Sequence, residues 1–128
     1  MTFEAALTQE LEAITDIKNK VFPLQADQKA DAPYLVFVSS EGKPYKSLDG
    51  FLELKEVSCE LNVLNKRYRS MKNLAKEVIT KIEGFEGREI GTGGPYIYEV
   101  TYEEPVELWE NDPKLYRCII NANFTIRR

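Results

Sequence analysis

The side chains able to do chemistry gather in a few short stretches. The densest is acidic: Glu99, Glu103, Glu104, Glu107, Glu110 and Asp112. Carboxylate oxygens suit a hard cation such as calcium or magnesium, but the spacing lacks the alternating Asp/Asn and central Gly of a calcium loop. A paired-carboxylate hydrolase needs one acid buried enough to keep its proton, and nothing in this stretch predicts such burial. Glu103 to Pro113, with Pro105 and Trp109, therefore reads as a solvated acidic hairpin loop. Gly91-Thr92-Gly93-Gly94 has the glycine density of a phosphate loop. Such a loop continues into Lys-Ser/Thr and a helix start. Here the strand-like Pro95-Tyr96-Ile97-Tyr98 follows, so the glycines read as a flexible hairpin connection. Lys66-Arg67-Tyr68-Arg69 mixes cations with an aromatic ring, as single-strand binders do. At the start of a helix in an acidic chain it reads as a solvated helix face.

Nucleophilic catalysis fares no better. The chain has no His, which removes the usual near-neutral base and the commonest metal ligand. Ser39, Ser40, Ser47, Ser58 and Ser70 all have polar neighbours, where no Lys is desolvated to activate them. Cys59 and Cys118 sit in alternating apolar runs and read as small buried hydrophobes, not as a bridge or zinc site. The expectation is a protein that is not an enzyme and uses no cofactor or metal.

The elements that must carry these residues follow from periodicity. Phe3, Leu7, Leu11, Ile14, Ile17 and Val21 draw one stripe, predicting a helix from Thr2 to about Lys20, with Thr2 as N-cap and Pro23 as stop. Gln25 to Asp31 is a polar connector. Pro33 to Val38 is apolar on both faces, as a doubly covered strand would be. Ser39 to Gly50 is turn-rich, ending in Asp49-Gly50. Phe51 to Leu64 predicts a long strand with Val57, Cys59, Leu61 and Val63 inward and Ser58, Glu60 and Asn62 outward. A second helix fits Arg67 to Glu83, closed by Gly84. A short strand at Arg88 to Ile90 precedes two longer ones. In these, Tyr96, Tyr98, Val100 and Tyr102 share one face, and Tyr116, Cys118, Ile120, Ala122, Phe124 and Ile126 another. Tyr96, Tyr98, Tyr102 and Trp109 either cover a sheet or form a protein interface. The order predicts an α+β domain over 1–128: a mostly antiparallel sheet of about four to five strands with two helices packed on one face.

The 128 residues are 43% apolar and 30% charged, with formal charge −4. That suits one domain and disfavours a general nucleic-acid binder. No apolar run is long enough to span a membrane, and the first residues lack the pattern of a signal peptide.

In this order the segments resemble the tail-completion, or tail-terminator (tail-to-head joining), proteins of long-tailed bacteriophages and prophages. The likeness lies in Val21-Phe22-Pro23-Leu24 after the first helix and Pro-Tyr-Leu-Val-Phe at 33–37. It continues through the Leu48-Asp49-Gly50 turn into Val57-Ser58-Cys59-Glu60-Leu61-Asn62-Val63, the helix Tyr68 to Ile82, and the final Phe124-Thr125-Ile126. The glycine-rich turn within 84–96 departs from it. The resemblance implies a structural virion protein made in the bacterial host cytoplasm and placed in the tail or neck. It would cap the head-proximal end of the tail tube, end its polymerisation and help join tail to head. Its implied partners are the major tail tube protein, the head-tail connector (stopper) protein and copies of itself, as a sixfold ring whose lumen DNA passes without specific binding. A closed ring needs two different patches per subunit. One is expected at Lys43, Tyr45, Leu48, Asp49 and Phe51, the other at Tyr102, Glu103, Glu104, Glu107, Trp109, Glu110 and Asp112. The alternatives are another neck protein (head-completion or stopper) and a small metal-dependent hydrolase using the 103–112 acids.

Overall fold

The computed structural model describes residues 1–26 and 30–127; part of the expected connector, 27–29, lies outside them. Helix α1 is Phe3–Leu11. The Thr2 hydroxyl accepts a hydrogen bond from Ala5 N at 3.2 Å, and Glu4 occupies the first turn, where the helix dipole favours an anion. The helix expected to run to Lys20 stops at Leu11. Ile14 is extended (φ −74°, ψ 121°), a 3-10 turn spans Thr15–Ile17, and Asn19 takes φ 61°. Ile14 and Ile17 remain buried with Phe3, Leu7 and Leu11. The apolar spacing thus marks core contacts, which the β-branched Ile14-Thr15 pair makes by bending the chain over the sheet.

Strand β1 is Val21–Pro23, parallel to β2, Tyr34–Ser39, with Val21 opposite Leu35. Pro23 is no helix stop. It sits on an edge strand, where its missing N–H costs no ladder bond. Leu35 and Phe37 are buried while Val38 is 44% exposed, so β2 is covered fully on one face only.

Then come β3 (Lys43–Ser47), β4 (Gly50–Asn65), α2 (Tyr68–Glu83), β5 (Arg88–Glu89), β6 (Tyr96–Tyr102), β7 (Val106–Glu110) and β8 (Leu115–Arg127). The sheet has eight strands in the order β1-β2-β4-β8-β6-β5; β3 flanks the first half of β4, and β7 the first half of β8. It is larger than expected, and mixed because β1 and β2 are parallel. The additional strands β3 and β7 lie where turn-rich and acidic loops were expected. Each pairs along a long strand, and cross-strand pairing outweighs the local content of Gly, Pro and charge.

The spine is the antiparallel pair β4–β8, in register from Leu54 opposite Arg127 to Asn65 opposite Tyr116. Val57, Cys59, Leu61 and Val63 on β4 and Cys118, Ile120, Ala122, Phe124 and Ile126 on β8 form the face both helices cover. Helix α2 contributes Met71, Leu74, Ala75, Val78 and Ile82. Each large side chain so buried contributes roughly 1.5–3 kcal/mol. Gly84 ends α2 as expected, but with right-handed φ −73°. On the other face Ser58 and Glu60 are exposed, whereas Asn62 is only 3% exposed. Its amide donates to Val36 O at 3.3 Å and Glu60 Oε1 at 3.0 Å, and its oxygen accepts from Arg117 Nη1 at 2.9 Å. These bonds satisfy a polar group that burial would otherwise penalise.

Candidate functional site

The expected contact residues divide between two regions at opposite ends of the β4–β8 spine. The first is the β3–β4 hairpin. Ser47 pairs with Gly50 across the tip Leu48-Asp49, and Gly50 takes φ 122°, which a side-chain-bearing residue rarely adopts. Among the described residues the β8 pairing reaches no further than Leu54, and β3 is the strand paired with the outer part of β4. Leu48 is fully exposed and Phe51 is 64% exposed; Tyr45, Lys43 and Asp49 are exposed as well. The arm has internal order: Lys46 Nζ stands 5.4 Å from the Phe51 ring centre, and the Tyr45 hydroxyl reaches Glu56 Oε2 at 3.3 Å.

The second region is β7 and the strand ends around it. Trp109 packs on Tyr116 at 4.7 Å between ring centres, and Tyr68 from α2 meets the same Tyr116 edge-on at 5.7 Å. The Trp109 indole donates to Asn111 Oδ1 at 2.9 Å, yet its side chain stays 47% exposed. Glu107 accepts from the Tyr68 hydroxyl at 2.9 Å and pairs with Lys72 at 3.4 Å. Glu110 pairs with Arg117 Nε at 2.7 Å, a contact close in distance but not aligned as a hydrogen bond. Tyr102, one strand away, donates to Glu83 Oε2 at 2.7 Å. Glu103 and Glu104 stand exposed between β6 and β7, and Asp112 in the β7–β8 turn. Tyr68 is therefore bonded into this region and is not part of a merely solvated helix face; Lys66, Arg67 and Arg69 around it are exposed.

The expected tyrosine row does not share one face. A register shift between Ile97 and Glu99 re-aims β6. Tyr96 and Tyr98 stack on each other at 4.8 Å, with the Arg127 guanidinium over both rings, while Tyr102 lies opposite Ala122 and reaches α2.

The chemistry-bearing groups resolve into structural ties. Among the described residues no cluster of three or more His, Cys, Asp or Glu could hold a metal ion. Burial pushes the Cys59 thiol up to about 12, helped by the nearby charges of Glu4 and Glu60, and Cys118 up to about 11. Neither is a ready nucleophile. The carboxylate with the deepest shift is Glu10, which sequence reasoning did not single out. Arg88 grips it at 2.9 and 3.0 Å, and with Gly91 N at 2.7 Å and Lys81 at 3.6 Å this outweighs burial and holds Glu10 down to about 2.

The same contact corrects the reading of the glycine turn. Gln9 and Thr92 exchange hydrogen bonds at 2.9 and 3.2 Å, and a Cβ on Gly94 would run into Ile90 O and the Ala6 side chain. The turn is clamped onto α1. Glycine is required there because the backbones approach so closely.

No protein-family model matches the chain, and no curated protein does. Solved structures do. A chain from the virion of a native gene transfer agent particle is similar with a TM-score of 0.73, over 98% of this chain and 95% of that one, at 11% identity. A second solved structure, of a protein without a functional name, gives a TM-score of 0.58 over 98% and 91% at 15% identity. At such identities the likeness is one of fold.

Proposed function

We propose that this chain is a structural protein of a phage-type virion that caps the head-proximal end of the tail tube, ends its polymerisation and helps join tail to head. The observation that carries this reading is the near full-length likeness in fold to a chain of a gene transfer agent virion. The terminator role rests in addition on the sequence resemblance. The distribution of exposed apolar groups supports it. About fourteen residues of β4 at ~3.3 Å each separate Phe51 from the strand end beside Trp109, roughly 45 Å. Two unlike patches so far apart suit a subunit that makes heterologous contacts around a closed ring. In this reading the ring is sixfold, sits on the tube, and faces the connector with its other side while DNA passes the lumen unbound. Lys43, Tyr45, Leu48, Asp49 and Phe51 form one contact surface. Tyr102, Glu103, Glu104, Glu107, Trp109, Glu110 and Asp112 belong to the other.

The test is negative-stain electron microscopy of tail tubes assembled with and without the protein. The expected result is tubes of uniform length bearing extra density at one end. Overgrown tubes without that density would overturn the terminator role, and binding to portal complexes instead would identify a stopper or head-completion protein.

A further inference from the structure

The described ion pairs consume charge selectively. Glu10 takes both Lys81 and Arg88, Glu107 takes Lys72, and Glu110 takes Arg117. Among the cations left over, four gather in one place. Lys66 and Arg67 follow the last residue of β4, Arg69 lies in the first turn of α2, and Lys114 precedes β8 directly beside them, since Asn65 pairs with Tyr116. All are exposed, and they surround the half-exposed rings of Tyr68 and Trp109. Asp112 in the adjoining turn opposes them, and Glu107 and Glu110 nearby are taken up by Lys72 and Arg117.

One group of the leftover acids lies elsewhere. Glu86 and Glu89 flank β5, Glu99 is on β6, and Glu103 and Glu104 follow it; all are exposed, and none forms an ion pair with another described residue. They run along the side of the sheet where β6 is paired by β5 only at Tyr96 and Ile97. Tyr98 and Tyr102, 41% and 39% exposed, stand among them.

Each surface thus has aromatic groups within an excess of one sign of charge, Arg127 over the Tyr98 ring being the exception on the acidic side, and the two excesses have opposite signs. One is the end of the spine and the other is its side. We infer that the partner of the acidic β6 side is a second copy of this chain, whose cationic end at Arg67, Arg69 and Lys114 seats on Glu99, Glu103 and Glu104 of its neighbour. The inference rests on the ring reading above and refines it: both sides of the subunit contact come from the β6–β7 half of the molecule, leaving the β3–β4 hairpin for the tube. An end-to-side contact repeats head to tail, and opposite potentials both steer the encounter and fix its register.

Sedimentation of the full chain at low and high salt tests this. The wild type should assemble at low salt and weaken roughly tenfold or more as salt screens the contact. Arg67→Glu/Arg69→Glu and Glu103→Lys/Glu104→Lys should each remain monomeric. Acidic residues at a helix start suit its dipole, so the first variant should fold, with circular dichroism as the check. Mixing the two variants should restore assembly, because each supplies the surface the other has lost. The inference is overturned by a wild type that stays monomeric at low salt, by variants that assemble like the wild type, or by a mixture that stays monomeric. It is also overturned if the Arg67/Arg69 variant loses only binding to labelled duplex DNA. Tube capping by the same wild-type protein is scored separately. Normal capping with failed mixing rejects this contact alone, whereas successful mixing without capping rejects the terminator role and leaves the contact standing.

Discussion

The corner where α1 meets the Gly91–Gly94 turn and the tip of the β3–β4 hairpin treat similar materials in opposite ways. Both are short turns rich in glycine and polar residues. In the corner the backbone is bonded to side chains of α1, and the central carboxylate, Glu10, has three partners within 3.6 Å, Arg88, Gly91 and Lys81. At the tip Leu48 touches solvent all round, and among the described residues β3 is the strand paired with the outer part of β4. Burying polar groups with full satisfaction holds a fold together; leaving large apolar groups exposed on a projecting arm costs stability and serves contact with something else.

The largest losses of stability are expected at the corner. Glu10→Ala should cost about 2–3 kcal/mol, because it strands Arg88 and the Gly91 N–H, and the urea midpoint should fall accordingly. Gly94→Ala should cost roughly 1–3 kcal/mol by forcing the turn off α1. The pH dependence has a definite sign. Glu10 is held down to about 2 from 4.5 in the folded state, so its contribution is complete above about pH 4.5 and disappears as pH falls towards 2. Thermal unfolding of Glu10→Gln should converge with the wild type as pH drops through that window. Trp109→Ala should cost about 1 kcal/mol, since its ring rests on Tyr116, and should also weaken assembly. The smallest change in stability belongs to the tip. Leu48→Ser should alter the unfolding midpoint by no more than about 0.5 kcal/mol while removing tube capping.

The spine and α2 were legible because their signals are long. Thirteen residues of β8 and sixteen of β4 leave little room for another reading of Val57-Cys59-Leu61-Val63 or Tyr116 to Ile126. Short elements were not. β3 contains Pro44 among turn residues, and β7 is surrounded by acids, so only pairing with a long strand makes either of them a strand. The alternation of Val106 and Leu108 with Glu107 was a faint signal of β7. The bend after Leu11 kept the apolar spacing of a helix while abandoning its geometry. The bulge near Tyr98 had no sequence mark, and it divides the tyrosines between two faces. Glu10 lay hidden because its partners are 71 to 81 residues away along the chain, and no local pattern announces such a contact. The turn at Leu48-Asp49-Gly50, by contrast, was readable, although the strand that stiffens it was not.

The most direct measurement compares tail-tube lengths by electron microscopy in the presence of the wild type, Leu48→Ser and Glu10→Gln, each held at a temperature where it is folded. The account predicts uniform, capped tubes with the wild type and with Glu10→Gln, and overgrown tubes with Leu48→Ser. Uniform capped tubes with folded Leu48→Ser, or loss of capping with folded Glu10→Gln, would contradict the division between a structural corner and a contact arm.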